Sequence, residues 1–169
     1  MVVSDDHEGI KAAVSGELAG VEWQRCVVHF ERNVLSHVPS ASMAEVAQDL
    51  KARRAKTAHA LAEEFSELYG KQFPKAVSFF EAGIGEALTY LSFPGSHHAK
   101  LRTTNVLERL FKEIKRRTRV VGVFPNETSA STLSTEIALR SSEEWALRRY
   151  LAMDALETVE KPNPQNSRH

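Results

Sequence analysis

The apolar positions of residues 103–119, TTNVLERLFKEIKRRTR, recur with helical spacing. At about 100° per residue, Leu107, Leu110, Phe111 and Ile114 share one arc, and Asn105, Glu108, Lys112 and Lys115 share another. This pattern predicts a helix with one buried and one polar side. Thr104 or Asn105 is placed to begin it, because their side chains accept from first-turn amides that have no partner in the helix. Upstream, Val2 and Val3 are β-branched residues directly before SDDHEG. They predict a strand stub too short to hold its own place in a sheet, either an edge or a chain beginning inside a fold. Residues 6–19 read as a helix with Ile10, Val14 and Leu18 on one face, closed by Gly20. VEWQRCVV at 21–28 reads as a strand, and Phe30, Val34 and Val38 follow at helical spacing until Pro39 stops them. A β-α-β-α order of this kind belongs to a sheet with helices on its faces.

From 42 to 91 the strand pattern disappears. Ala- and Glu-rich segments at 42–54 and 56–69 predict helices, and Pro74 opens a third that runs to about Tyr90. SFPGSHHAK at 92–100 reads as a loop. Beyond the 103–119 helix, Val120, Val121, Val123 and Phe124 form a short apolar turn ended by Pro125. Asn126 is placed to cap a helix over 127–140 with Leu133 and Ile137 on one side. Ser142 is placed to cap another, with Trp145 near its start and Leu147 and Leu151 inward. The tail, KPNPQNSRH, has no apolar residue and is expected to be disordered.

Charge changes this picture in one place. The chain carries 22 basic and 22 acidic residues, yet between Lys100 and Arg119 eight cations (Lys100, Arg102, Arg109, Lys112, Lys115, Arg116, Arg117, Arg119) meet only Glu108 and Glu113. The neutral total therefore hides a cationic patch. At 169 residues, with 42% hydrophobic and 26% charged content, the chain fits one globular domain. No apolar run reaches the roughly 18 residues of a membrane span. The start has no secretory pattern. Cys26, the sole cysteine, excludes an internal disulfide, so the cytoplasm is the expected compartment.

Several residues are candidates for chemistry. Glu108 is either the first member of an i,i+4 ion pair with Lys112, worth about 0.2–0.5 kcal/mol, or a metal-binding carboxylate beside phosphate-binding cations. Asp5 follows a strand end, where open α/β sheets place ligand-binding groups. It also has capping-box spacing with Glu8, and Asp6 is a second possible cap. Cys26 and His29 form a lone CxxH. Both can ligate zinc, but a structural site needs four ligands and no other histidine pair matches, so the plainer reading is a buried cysteine beside a hydrogen-bonded histidine. His97 and His98 are expected to be solvated, and Trp23 and Trp145 to anchor cores.

SDDHEG at 4–9, WQRCVVHFERNVLSHVP at 23–39, TTNVLERLFKEIKRRTRVVGVFPNE at 103–127 and EWALRRYLAMDAL at 144–156 together closely resemble the mutator-type transposases of bacterial insertion sequences. The resemblance implies an α/β fold, a partial ribonuclease H-like domain with a helical insertion, mostly helical in this chain. It divides the chain into a partial core at 1–41, an insertion at 42–99, the remainder of the core with the glutamate-bearing basic helix at 100–158, and the tail at 159–169. It places metal-binding carboxylates at Asp5 and Glu108, with Cys26 and His29 as structural neighbours of the site. The implied cofactor is Mg²⁺ or Mn²⁺. The implied partner is DNA, at insertion-sequence ends and target; a homo-oligomer is left open, and no membrane is expected. Asn105, Arg109, Lys112, Lys115, Arg116, Arg117 and Arg119 would hold the DNA backbone. The family's first catalytic aspartate and several strands are expected before SDDHEG, so the reading is a truncated copy or a misassigned start that does not cut DNA by itself. A non-catalytic DNA-binding remnant and a helical structural or interaction protein are the alternatives.

Overall fold

The computed structural model describes residues 1–52, 57–147, 151 and 154. Two compact units divide the chain, Met1–Thr103 and Thr104–His169.

The first unit opens with a β-α-β turn. Strand β1, Val2–Ser4, pairs in parallel with β2, Trp23–Arg25, in the register Val2 to Trp23, Val3 to Gln24 and Ser4 to Arg25. Parallel strands need a crossover, and helix α1, Glu8–Glu17, supplies it. Gly20 turns the chain back toward β2 with φ +79°, a left-handed conformation that a side chain disfavours. The valine stub is thus a true strand. Of the apolar face expected on α1, only Val14 is buried, while Ile10 and Leu18 are exposed. Two three-residue strands, each about 10 Å long, are too short to cover a ten-residue helix of about 15 Å.

The strand expected over 21–28 ends at Arg25. Cys26 takes the N-cap position of α2, Val27–Leu35, and the Val27 amide donates to the Arg102 carbonyl at 2.9 Å. Burial of Val27 in the helical core overrides its strand preference. Phe30, Val34 and Val38 are all buried, as their spacing predicts. They join one hydrophobic core with residues from α3 (Ser40–Ala52), α4 (Ala58–Tyr69) and α5 (Pro74–Ala87). Phe65 and Phe80 stack at 4.4 Å at its centre. Pro74 opens α5 as expected, since its missing N–H costs nothing in a first turn.

A 3₁₀ turn at Thr89–Ser92 follows, then α6, Gly95–Leu101, where a loop was expected. Pro94 sets the entry to α6 by accepting from the His97 amide at 2.8 Å. His97, expected to be solvated, is buried on this helix. His98 Nε2 lies 2.7 Å from the Phe93 carbonyl. Burial of one helix face therefore decided what the Gly, Ser and His composition concealed.

The second unit holds α7, Asn105–Val121, and α8, Glu127–Ala146. Thr104 is the N-cap of α7, although its side chain makes no capping hydrogen bond. The apolar arc of α7 is not buried. Leu107 and Phe111 are 45% and 57% exposed, and Leu110 and Ile114 are half-covered. Among the described residues of this unit only α8 packs beside α7, and one helix cannot cover an arc of that width. Gly122, at φ +77°, ends α7, leaving Val120 and Val123 largely exposed. Asn126 caps α8, its Oδ1 accepting from the Ser129 amide at 2.8 Å.

The break expected at Ser142 does not occur, and α8 runs through it. Thr132, Ser134 and Ser141 donate their hydroxyls back to carbonyls four residues earlier, at 2.8 to 2.9 Å. In that geometry hydroxyls ride on a helix instead of starting one. Leu147, expected inward, is exposed, Ile137 is buried, and Trp145 is half-covered. The tail at 159–169 and most of 148–158 lie outside the described residues. Among the described residues no helix is long and apolar enough to cross a membrane.

Candidate functional site

Both parallel strands end at the same level, and the chemistry collects there. After β1 comes Asp5, and after β2 comes Cys26, whose amide donates to the Ser4 carbonyl at 2.8 Å and so continues the ladder by one bond. The carboxyl ends of parallel strands are where open α/β sheets bind ligands. Whether Asp5 is free for such a role turned on which residue caps α1. That residue is His7, whose Nδ1 accepts from the Gly9 amide at 3.2 Å, so neither Asp5 nor Asp6 is used as a cap.

Asp5 points instead at His29, in the first turn of α2, whose Nδ1 meets a carboxylate oxygen of Asp5. Two residues separate Cys26 at the helix cap from His29 in its first turn, a three-position spacing that turns both side chains to the same end of α2. One ligand atom from each of Asp5, Cys26 and His29 lies within 4.8 Å of the other two. These three residues could hold a metal ion. Cys26 is fully buried, the His29 side chain is 21% exposed and that of Asp5 is 60% exposed, so the cluster opens to solvent on the carboxylate side.

Asp6 behaves differently. Its carboxylate takes Lys11 Nζ at 2.6 Å and Arg25 Nη2 at 2.8 Å. The hydrogen bond from Lys11, followed by the charge of Arg25, holds its carboxyl below the usual range despite some burial. The same contact with Asp6, helped by Glu86, raises the Lys11 ammonium. The Arg25 guanidinium is buried over the rings of Phe30 and Phe79, at 4.9 and 5.2 Å from their centroids. Gln24 beside it is fully buried and satisfied, donating to the Arg25 and Ala87 carbonyls and accepting from the Tyr90 amide at 2.6 to 2.7 Å. Sequence reasoning missed this polar floor. Its signal was the adjacent Gln24 and Arg25 inside a strand, where alternation allows only one of two neighbours to reach solvent on a half-buried sheet.

In the second unit, Glu108 is exposed in the first turn of α7, and Thr104 Oγ1 donates to it at 3.4 Å. The ion-pair ladder of this helix is built on Glu113, which takes two hydrogen bonds of 2.8 Å from Arg116 and one of 2.7 Å from Arg117. Those bonds, the Arg116 pair first, bring the Glu113 carboxyl down to about 2 and raise the Arg116 guanidinium. Arg109, Lys112, Lys115 and Arg119 are exposed and have no ion pair among the described residues.

A family model described as "Transposase, Mutator family" matches residues 1–147. The chain is 38% identical over 166 residues to the transposase for insertion sequence element ISRM5 of Rhizobium meliloti, an overlap of 95% of this chain and 42% of that protein. It is 35% identical over 150 residues to the transposase for insertion sequence element IS406 of Burkholderia multivorans, covering 86% and 39%. With the transposase for insertion sequence element IS256 in transposon Tn4001 of Staphylococcus aureus it shares 31% identity over 162 residues, covering 91% and 41%. The chain thus spans about two fifths of the length of these curated relatives.

Proposed function

This chain belongs to the Mutator family of transposases, and we propose that it carries part of the machinery that cuts and joins DNA strands at insertion-sequence ends. In this reading the β-α-β unit is part of a ribonuclease H-like sheet, and Asp5 and Glu108 are metal-binding carboxylates. The observation that supports it best is the position of Asp5 at the end of a parallel strand, exposed, released from capping duty and steadied by His29. A carboxylate oriented by a neighbouring side chain is how metal sites hold a hard oxygen ligand in place.

The donor chemistry fits Mg²⁺ or Mn²⁺ at the carboxylates and not at the thiol. Hard cations take oxygen ligands, so Asp5 and Glu108 are each suited to such an ion while Cys26 is not. The chemistry supplied by such an ion is polarisation of a scissile phosphate and activation of the attacking oxygen. What the chain's own residues do follows from their contacts. His29 holds one oxygen of Asp5 and leaves the rest of the carboxylate toward solvent. Lys11 and Arg25 neutralise Asp6 and keep it out of the ligand set. On α7, about 25 Å long, Arg109, Lys112, Lys115 and Arg119 are available to phosphates, with Asn105 at its start and Arg116 and Arg117 paired to Glu113 until a phosphate competes. Such contacts position DNA and supply salt-dependent affinity without reading sequence.

Paramagnetic Mn²⁺ tests the carboxylates directly. Titrated into the isotope-labelled chain, it should broaden amide signals beside Asp5 and beside Glu108, and Asp5→Asn and Glu108→Gln should each suppress the response at the changed residue. Salt-sensitive duplex binding without any broadening would favour the non-catalytic DNA-binding reading. Failure to bind duplex even at low salt would remove both.

A further inference from the structure

The cluster at the strand ends contains two donors that the proposed Mg²⁺ or Mn²⁺ chemistry leaves unused. Sequence spacing alone discouraged a soft-metal reading, because CxxH supplies two ligands and the remaining histidines show no matching pair. The fold adds a third donor from a residue 21 positions before Cys26 in the chain, since β1 and β2 end side by side and bring Asp5 to Cys26 and His29.

We propose that Asp5, Cys26 and His29 form a binding site for a thiophilic divalent cation of the zinc class, with its fourth position open to solvent. Three arguments support it. The donor set of one sulfur, one imidazole nitrogen and one carboxylate oxygen matches zinc in kind, and three protein ligands with an open position is the arrangement of non-structural zinc sites. The size is right as well. Tetrahedral bonds of about 2.0 to 2.3 Å set ligand atoms somewhat under 4 Å apart, so donors already within 4.8 Å of one another need shift by only about 1 Å, with Asp5 and His29 parting from their present contact to admit the ion. Finally, the burial gradient fits, with the thiol fully enclosed and the carboxylate 60% exposed, which leaves the fourth ligand position on the solvent side. Binding forms a sulfur–metal bond as the thiol proton leaves to solvent, and the ion sits where Asp5 and His29 now meet. A consequence rests on the proposed function. Because Asp5 is also read as a ligand for Mg²⁺ or Mn²⁺, zinc held by Cys26 and His29 occupies that carboxylate and opposes strand cleavage.

The experiment uses the full 169-residue chain and Co²⁺ as the probe, with Zn²⁺ as competitor. Cys26 is the only cysteine, so any sulfur-to-cobalt charge-transfer band reports this site without ambiguity. The expected result is a band that saturates at one ion per chain, is bleached by Zn²⁺ and is lost in Cys26→Ser. Asp5→Asn and His29→Ala should each weaken cobalt binding by at least about tenfold. These two alter groups that reach solvent, so they test the site even if the buried Cys26→Ser variant folds poorly, and circular dichroism verifies helicity in all three. Absence of the band in the wild-type chain would overturn the proposal. So would full cobalt affinity in both Asp5→Asn and His29→Ala, since that would reduce the site to a lone thiol. A cobalt band without Mn²⁺ broadening beside Asp5 would leave the zinc-class site standing and refute only the catalytic reading of Asp5.

Discussion

Replacing Gly83 with alanine should destabilise the first unit, whereas the same change two residues later on α5, at Gly85, should stabilise it. A Cβ at Gly83 would lie 2.6 Å from Arg25 Nη1 and 2.7 Å from Phe30 Cε2, about 1 Å inside ordinary carbon contact. The guanidinium is the end of a flexible chain, but here it is sandwiched by Phe30 and Phe79 and tied to Asp6 at 2.8 Å. Phe30 is fully buried and packed against Phe79 and Phe80, at 6.0 and 5.6 Å between centroids, so its ring cannot retreat. Overpacking of this kind costs about 1–3 kcal/mol. Relief of mid-helix glycine entropy returns about 0.5–1 kcal/mol, leaving a net loss of up to about 2.5 kcal/mol. At Gly85 no atom lies within 4 Å of the added Cβ, so only the entropic gain of about 0.5–1 kcal/mol remains. Urea unfolding midpoints at a shared m-value read both changes. Because the helix term is common, the difference between the variants is the steric term alone. Equal stability of the two, or a more stable Gly83→Ala, would refute the tight packing of Gly83 beneath Arg25.

Lys112→Ala and Lys115→Ala should each lower the slope of log affinity against log salt by about 0.9, with similar losses on unrelated duplexes; unchanged slopes in both would take these lysines out of the footprint. Glu113→Gln should do the reverse, freeing Arg116 and Arg117 for phosphate and steepening the same slope in a filter-binding or anisotropy titration. The Asp6 carboxyl is held below its ordinary 3.8, so its contribution to stability is complete above that value and disappears as pH falls through the lower folded value. Asp6→Asn should therefore flatten the acid limb of a urea-midpoint profile measured from about pH 6 to pH 2. Lys11 is raised above 10.5, so its share is complete below that pH and is lost as pH climbs past the folded value, and the same Asp6→Asn variant should lose it earlier on the alkaline side.

Periodicity served well wherever one face met a large core. Phe30, Val34 and Val38 were legible because α2 packs into a helical cluster wide enough to bury the whole stripe. The same logic overreached on α1 and α7. Ile10 and Leu18 lie on the crossover of a sheet of only two short strands, and Leu107 and Phe111 belong to a unit of two described helices, so the pattern was present without enough partner surface to bury it. Hydroxyl and proline punctuation carried a similar ambiguity. Asn126 caps α8 as its position suggests, while Ser141, beside the expected start at Ser142, donates back to Ile137 and lets the helix pass. A serine can do either, and the neighbouring turn decides.

At the candidate site the local residues were legible and their division of labour was not. Asp5 and Asp6 are adjacent carboxylates before one helix, and local pattern alone offered either of them as a cap. The decision came from His7, a residue rarely read as a cap, whose ring nitrogen takes the Gly9 amide and leaves both acids to long-range partners. Those partners lie on other elements, Arg25 on β2 and Glu86 on α5 for the Asp6 network, and His29 on α2 for Asp5. Asp6 is thereby committed to two cations and Asp5 to a histidine and a cysteine, so neighbours in sequence acquire different partners. The consequence is testable at one residue. Arg25→Met should keep much of the apolar stacking on Phe30 and Phe79 while removing the buried charge, and the Asp6 carboxyl, still held down chiefly by Lys11, should rise part of the way toward its ordinary range because the second of its two cations is gone. The contact of Asp5 with His29 should be unaffected, which the carboxyl carbon shifts of both residues at one fixed pH can follow. Equal displacement of the two would show that the strand ends share one electrostatic environment, and the separation of Asp5 from Asp6 argued from the geometry would fail.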